Sequence, residues 1–187
     1  GLVWCIAKLL FPRRGVLPLA IAGTVAFIPQ FLFITSSVNN DNLMTFLSAL
    51  LVCLLLRRLR NGPGSLAYWL GVGVVLGSAL LTKLSALAFL GMAGLVIGLL
   101  GWYRRSWRVA LRLALAVAVG TLAVAGWWYV RNILLYGEPT GLTAMWEVVG
   151  RREDFGTELW SEFRGLRYSF WGLFGWFSIT MPDEVPM

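Results

Sequence analysis

The sequence predicts an all-α membrane protein, a multi-pass bundle of transmembrane helices. First, 58% of its 187 residues are hydrophobic and only 13% are charged, whereas a soluble domain carries about 25% charged residues. Second, the apolar residues form long blocks rather than helical stripes, so the helices must face lipid or one another on all sides. Third, many of the ten Trp residues lie where these blocks end, and Trp is enriched at the membrane–water interface, where transmembrane helices end.

About five spans are predicted, followed by an interfacial, aromatic-rich helical region. They cover residues 16–34, 43–56, 66–81, 84–101 and 109–129. Pro29 should kink or break the first span, because proline cannot donate a backbone hydrogen bond inside a helix. The turn sequence 61–64, Asn-Gly-Pro-Gly, separates the second span from the third.

Residues 66–100 form one apolar run that is too long for a single span. At 1.5 Å per residue the run would reach about 52 Å, against a hydrocarbon core of about 30 Å. Its one strong charge, Lys83, lies at the midpoint. We therefore predict two helices hinged at Thr82–Lys83.

Two regions follow from this division: a helix bundle over residues 1–136 and an extracytoplasmic, interfacial amphipathic segment over 137–187. Residues 166–181 are aromatic-rich and are expected to lie in the interface rather than to span the membrane. Four apolar side chains of the polar stretch before them indicate an amphipathic helix: Trp146, Phe155, Trp160 and Phe163. Because the chain starts without Met inside an apolar run, we expect it to be truncated at both ends.

The charges sort by side when the chain alternates across the membrane. With Lys8, Arg13 and Arg14 placed inside, ten of the sixteen bases fall inside and none of the nine acids does. Lys and Arg residues that cluster on one side of the membrane are typical of cytoplasmic loops. The net charge of +7 therefore does not indicate nucleic-acid binding. The pattern predicts a multi-pass protein of the cell (plasma) membrane with a polar, functional extracytoplasmic face.

Composition also narrows the chemistry. The chain has no His, which removes imidazole bases and His-ligated metals. Cys5 and Cys53 are far apart inside apolar runs, so packing is expected rather than a disulfide. Two small-xxx-small pairs, 73/77 and 94/98, are interpreted as helix-packing positions.

Three polar positions could carry function at the outer side. Asp41, with its neighbour Asn40, opens a helix; it either caps that helix or faces a cavity, where it could bind a sugar hydroxyl, a metal or an acceptor amine. Lys83 either snorkels to headgroups or binds a phosphate, since a lone charge in a span costs roughly 2.5–3.5 kcal/mol. Arg131 either ends an aromatic belt or gives a second phosphate contact through its planar fork.

Four stretches of the chain form a set: SVNNDNLMTF at 37–46, GSALLTKLSAL at 77–87, WWYVRNILLYGEPTG at 127–141 and SFWGLFGW at 169–176. Their order and spacing resemble the bacterial multi-pass glycosyltransferases of the GT-C superfamily, with a fold that is a GT-C-like bundle of transmembrane helices. These are the relatives of protein O-mannosyltransferases (glycosyltransferase family 39) and of the lipid A aminoarabinose transferase.

The resemblance implies an inverting, hexosyltransferase-type enzyme that takes a sugar from a polyprenyl-phosphate donor on the extracytoplasmic side. It implies that the residue resembling Asp41 helps to build the active-site cavity and that those resembling Lys83 and Arg131 hold the lipid phosphate. The main catalytic acid of the family lies in the first extracytoplasmic loop, expected upstream of Gly1. The expected partners are membrane lipids and the lipid-linked sugar donor, with no certain cofactor and a divalent metal as an alternative.

Two other functions stay open from the residues alone. A transporter or lipid-carrier flippase would use the broken run at Lys83 as a discontinuous helix. A structural or assembly protein without a ligand would leave the three polar residues pointing to headgroups. The transferase instead expects Asp41, Lys83 and Arg131 around one outward-opening cavity.

Overall fold

The structure, a computed structural model, describes residues 1–150 together with 163, 165, 166, 169, 170, 173, 174, 179 and 180. The described residues are mainly helical, which confirms the predicted fold class. The helices are α1 (Leu2–Leu10), α2 (Leu17–Ala26), α3 (Pro29–Ser36), α4 (Asn40–Asn61), α5 (Leu66–Thr82), α6 (Leu87–Tyr103), α7 (Trp107–Tyr136) and α8 (Leu142–Val149). A 3-10 turn, Leu84–Ala86, precedes α6.

Two short strands lie near the end of the chain. They are β1 (Leu173–Phe174) and β2 (Ile179–Thr180), paired antiparallel with Leu173 opposite Thr180. The predicted interfacial stretches at 151–162 and most of 166–181 lie outside the described residues. Of the amphipathic segment, the described part contains α8, which carries Trp146.

The predicted number of spans was too high. In the part of the chain that the structure describes, three helical stretches are long and apolar enough to cross a membrane: Asn40–Asn61, Leu84–Tyr103 and Trp107–Tyr136. The helices α2 and α3, bent by 63° at Pro29, make a fourth span there if they are counted as one. The remaining candidate, α5, has 17 residues, and at 1.5 Å per residue its length of about 25 Å is short of a hydrocarbon core of about 30 Å.

The helix ends follow local chemistry. Asn39 caps α4 by accepting a hydrogen bond from the Asn42 N–H at 3.0 Å. Gly137, in the left-handed conformation at φ 73°, ends α7. Helix α7 therefore runs seven residues beyond the predicted end of its span at Tyr129 and includes Arg131, since no breaker occurs between Tyr129 and Gly137.

α5 is the centre of the bundle and packs most closely on α7. A Cβ atom at Gly73 would collide with the Val117 carbonyl oxygen, and one at Gly77 would lie 2.9 Å from the Thr121 carbonyl oxygen. The two helices are parallel, because later residues of α5 meet later residues of α7. The Thr121 hydroxyl also donates to the Gly73 carbonyl at 3.2 Å, so the first glycine pair is a packing site.

The second glycine pair is different. A Cβ atom at Gly94 or Gly98 would meet nothing within 4 Å. The interpretation of this pair as a helix-packing site is therefore wrong for the described part of the chain. Both glycines instead open a groove between α6 and α7.

The bundle has two ends of different charge. Arg60 donates to the Leu9 carbonyl, and Arg104 Nη2 lies 3.1 Å from the position of a Cβ atom at Gly62. These contacts show that the last turns of α1, α4 and α6 lie at the same end of the bundle as the starts of α5 and α7. We call this end of the bundle the basic end. Its ten bases are Lys8, Arg13, Arg14, Arg57, Arg58, Arg60, Arg104, Arg105, Arg108 and Arg112. The other end is called the Asp41 end.

Candidate functional site at the Asp41 end

An ion pair joins two of the predicted site residues. Lys83 Nζ lies 2.5 Å from Asp41 Oδ1, and the side chains are 45% and 41% exposed. The residues are 42 positions apart in sequence: Asp41 lies in α4, and Lys83 lies in the break after α5. A half-exposed pair contributes only about 0–1 kcal/mol to stability, so its main consequence is to fix an ammonium and a carboxylate in one place.

Local structure leaves both groups available for this contact. Asn39 makes the cap hydrogen bond of α4, so Asp41 lies in the first helical turn with its carboxylate turned to Lys83. Lys83 is the extended residue, φ −158° and ψ 136°, between the end of α5 and the 3-10 turn. Asn40, the first residue of α4, is exposed beside them.

An apolar groove starts at the break that carries Lys83. Its volume is about 440 Å³, and it lies between α6 and α7 with Leu80 of α5 as part of its wall. Leu80 and Leu87, which flank the break, line it together with Tyr129 of α7. The groove is lined almost entirely by apolar side chains, and it begins beside the break in which Lys83 lies, although Lys83 itself is not one of its lining residues.

The groove continues towards the basic end. A second hollow of about 520 Å³ shares Gly94, Ile97 and Ala114 with the first and reaches Trp107 and Arg108. The hollow surface between α6 and α7 thus runs along most of the height of the bundle. Such a shape fits an extended hydrocarbon chain better than a compact polar ligand.

Arg131 lies at the same end of the bundle but has other partners. Its guanidinium carbon is 5.1 Å from the ring centre of Trp128, and Nη1 is 3.5 Å from Asn132 Oδ1. Within residues 1–150 no hydrogen bond or ion pair joins it to Asp41 or Lys83. The structure therefore brings two of the three predicted residues into contact, and the phosphate role of Arg131 stays a prediction.

Two residues that the sequence analysis did not single out belong to this region. Tyr129 lines the groove, and Asn42 has a buried side-chain oxygen without a hydrogen-bond partner. Asn42 also lines a separate cavity of about 590 Å³ between α4 and the first helices. The stretch SVNNDN indicates that an asparagine there has a special role, but the sequence alone cannot show which of its three amides is buried.

The described residues offer no ready metal site. No group of three or more Cys, Asp or Glu side chains in them is arranged to hold an ion. Asp41, the one acid of the site among residues 1–150, is engaged by Lys83.

Comparison with known proteins agrees with this architecture. The family described as dolichyl-phosphate-mannose-protein mannosyltransferase matches residues 1–129, which include Asp41, Lys83 and Tyr129 but end before Arg131. Searches of characterised proteins and of solved structures give no match. Because the match covers more than half of the 187 residues, the chain belongs to the dolichyl-phosphate-mannose-protein mannosyltransferase family, membrane glycosyltransferases of the GT-C type.

Proposed function

We propose that the chain is the membrane core of an inverting glycosyltransferase that takes its sugar from a polyprenyl-phosphate donor. Transfer to the acceptor would occur on the extracytoplasmic side of the cell membrane. The observation that carries the proposal is the Lys83–Asp41 ion pair at the break between Leu80 and Leu87, two residues that line the groove between α6 and α7.

The donor has an apolar part, the polyprenyl chain, and a charged part, the phosphate, and the site offers a different contact to each. The polyprenyl chain would lie in the groove, where apolar side chains replace lipid around it. The phosphate would contact the Lys83 ammonium, which has three N–H donors and uses one on Asp41. During transfer the sugar–oxygen bond breaks and the lipid phosphate leaves with added negative charge, which a fixed ammonium stabilises.

Asp41 and Asn40 would position the sugar. A carboxylate and an amide next to the phosphate can accept and donate hydrogen bonds to sugar hydroxyls. We do not assign Asp41 the role of general base for the acceptor, because Lys83 engages its carboxylate. The resemblance places that base in the first extracytoplasmic loop of the family.

Arg131 would give a second contact to the donor phosphate. It lies on α7 two residues beyond Tyr129, which lines the groove together with Leu80 and Leu87. Its planar fork can bind two phosphate oxygens. Its present position over the Trp128 ring keeps the guanidinium at the end of the bundle where the donor headgroup would lie.

The orientation follows from the charges. Bases concentrate on the cytoplasmic side of membrane proteins, so the basic end would face the cytoplasm and the Asp41 end the outside. The four residues proposed to touch the donor would then all be extracytoplasmic: Lys83 and Arg131 at the phosphate, and Asp41 and Asn40 at the sugar.

The test is sugar transfer from a polyprenyl-phosphate sugar by membranes that contain the full-length protein. The Lys83→Ala/Arg131→Ala double variant should lose about 10²-fold or more in rate, as expected when donors to a developing oxyanion are removed. A matched control, Lys8→Ala/Arg13→Ala, removes the same charge at the basic end and should transfer at the normal rate. Transfer at the normal rate by the first double variant would refute the phosphate role.

A lipid-carrier flippase is the second candidate, favoured by one observation. The groove continues from Leu87 at the Asp41 end to Arg108 at the basic end, so a lipid chain could be guided along the whole bundle. A flippase would move a labelled polyprenyl phosphate between leaflets of a reconstituted vesicle without transferring its sugar. Sugar transfer by the same vesicles would exclude it as the sole activity.

A further inference from the structure

A glycine turn at the basic end holds two arginines from different parts of the chain. The turn joins α4 to α5 and contains Gly62 at φ 85° and Gly64 at φ 69°. The guanidinium of Arg58 occupies the position that a Cβ atom at Gly64 would take, and Arg104 Nη2 lies 3.1 Å from that position at Gly62. Any side chain at either glycine would therefore displace a guanidinium group as well as strain the backbone.

Arg58 is held rigidly but is incompletely bonded. Its guanidinium carbon lies 4.4 Å from the ring centre of Tyr68, and the Tyr68 hydroxyl donates to the Leu54 carbonyl at 3.0 Å. The Nε atom of Arg58 is buried and has no hydrogen-bond partner. That N–H is closed off inside the protein, so the donors that Arg58 can offer to an external group are those of its two Nη atoms.

No acid of the described chain can supply an acceptor for these donors. The described acids, Asp41, Glu138 and Glu147, lie at or beyond the other end of the bundle, and none of the arginines in residues 1–150 forms an ion pair. Ten bases at one end repel one another. An external anion would relieve this repulsion and could accept hydrogen bonds from the Nη atoms of Arg58.

The surroundings indicate which anion this is. Trp102 and Tyr103, beside Arg104, are 79% and 75% exposed, and large exposed aromatic rings at a helix end are typical of the headgroup layer of a membrane. Arginine forks bind phosphate oxygens in pairs. Basic pockets between transmembrane helices at this depth bind lipid headgroups.

We propose that Arg58 and Arg104 form a binding site for the phosphate headgroup of an anionic phospholipid, built on the Gly62–Gly64 turn. Each guanidinium group would donate N–H bonds to the phosphate, Arg58 beside Gly64 and Arg104 beside Gly62. The site is separate from the Lys83 site, at the opposite end of the bundle, and does not depend on sugar transfer. Its effect would be to anchor the α4–α5 turn to the end of α6 through a bound lipid.

The test titrates the purified full chain in neutral detergent with phosphatidylglycerol and with phosphatidylcholine, and native mass spectrometry counts the bound lipid. The first phosphatidylglycerol should bind about tenfold more tightly than phosphatidylcholine, because charge-assisted hydrogen bonds to the arginines add to the shared contacts. Arg58→Gln/Arg104→Gln should abolish this preference. The matched pair Arg13→Gln/Arg14→Gln, with the same loss of charge at the same end, should keep it within about twofold.

If both Gln double variants lost the same share of the preference for phosphatidylglycerol, the proposal would be overturned, since the lipid would then be attracted diffusely to the whole basic end. Displacement of the lipid by millimolar inorganic phosphate would overturn the choice of a lipid headgroup; we expect none. If the Arg58→Gln/Arg104→Gln chain does not keep its helical circular dichroism, Arg58→Lys/Arg104→Lys replaces it. That variant keeps both charges but loses the forks, and its preference should fall about threefold; an unchanged preference would overturn the site.

Discussion

Substitution of Gly73 by Ala should destabilise the bundle, whereas the same substitution at Gly94 should not. At Gly73 the new methyl group would collide with the Val117 carbonyl oxygen and lie 3.0 Å from Gly120 Cα and Thr121 N. These are backbone atoms, which cannot rotate away, so α5 and α7 would have to separate. At Gly94 nothing lies within 4 Å of the new methyl group.

The size of the effect can be estimated from three contributions. Overpacking of a tight contact costs about 1–3 kcal/mol. Separation of the helices also weakens the Thr121–Gly73 hydrogen bond of 3.2 Å, which in a membrane contributes roughly 0.6 kcal/mol. Against these, Ala favours the helix over Gly by roughly 0.5–1 kcal/mol. The net loss for Gly73→Ala is therefore about 1–3 kcal/mol, and Gly94→Ala should be neutral or more stable by up to about 1 kcal/mol.

The assay is reversible unfolding of the purified chain in mixed micelles as the fraction of sodium dodecyl sulfate rises, followed by circular dichroism. Both variants are compared with the parent chain in the same detergent. Equal stability of the Gly73 and Gly94 variants would refute the argument that α5 and α7 meet backbone to backbone at Gly73.

Three further outcomes are expected. Trp69→Phe should lower the free energy of unfolding by about 1–3 kcal/mol in the same assay, because it leaves the Pro63 carbonyl without the indole N–H that now donates to it. Asn132→Ala should cost a similar amount, about 1–3 kcal/mol, because the buried amide donates at 3.0 Å to a carbonyl of the α7–α8 connection; faster proteolysis there than in the parent would report the loosened connection, and an unchanged rate would contradict it. Asp41→Asn should change the unfolding free energy by less than about 1 kcal/mol, since its pair with Lys83 is half exposed, but it should reduce sugar transfer; a large loss of stability would show that the pair is structural.

The breaks in the fold could be predicted because single residues produce them. Pro29 begins α3 after a 63° bend, and Lys83 is the extended residue after α5. The order of bases and acids along the chain likewise predicts that one end of the bundle is basic and the other is not, because the chain changes side with each span. These features depend on local chemistry and on alternation, which one sequence contains.

Packing partners could not be predicted in the same way. Gly73/Gly77 and Gly94/Gly98 have the same spacing, yet the first pair meets a helix and the second faces a groove. Which face of a helix is covered depends on the directions of its neighbours, and the sequence does not give them. The Asp41–Lys83 contact likewise joins residues 42 positions apart; the sequence places both on one side but cannot give their distance.

The cap of α4 shows the limit at the scale of one turn. Asp41 and Asn39 are both good capping residues, and the sequence analysis left capping open for Asp41. The structure assigns the cap to Asn39, which leaves the Asp41 carboxylate to Lys83. If α4 began two residues later, Asp41 would be the cap and its carboxylate would have only a structural role. Because the helix begins after Asn39, the carboxylate can belong to a binding site.

The orientation of the Lys83–Asp41 pair can be measured directly by cysteine accessibility. In a Cys5→Ala/Cys53→Ala background, Lys83→Cys and Arg14→Cys are introduced one at a time, and intact cells are treated with a membrane-impermeant maleimide. The account predicts that position 83 is labelled in intact cells and that position 14 is labelled only after permeabilisation. The reverse pattern would place the ion pair on the cytoplasmic side and contradict extracytoplasmic sugar transfer at this site.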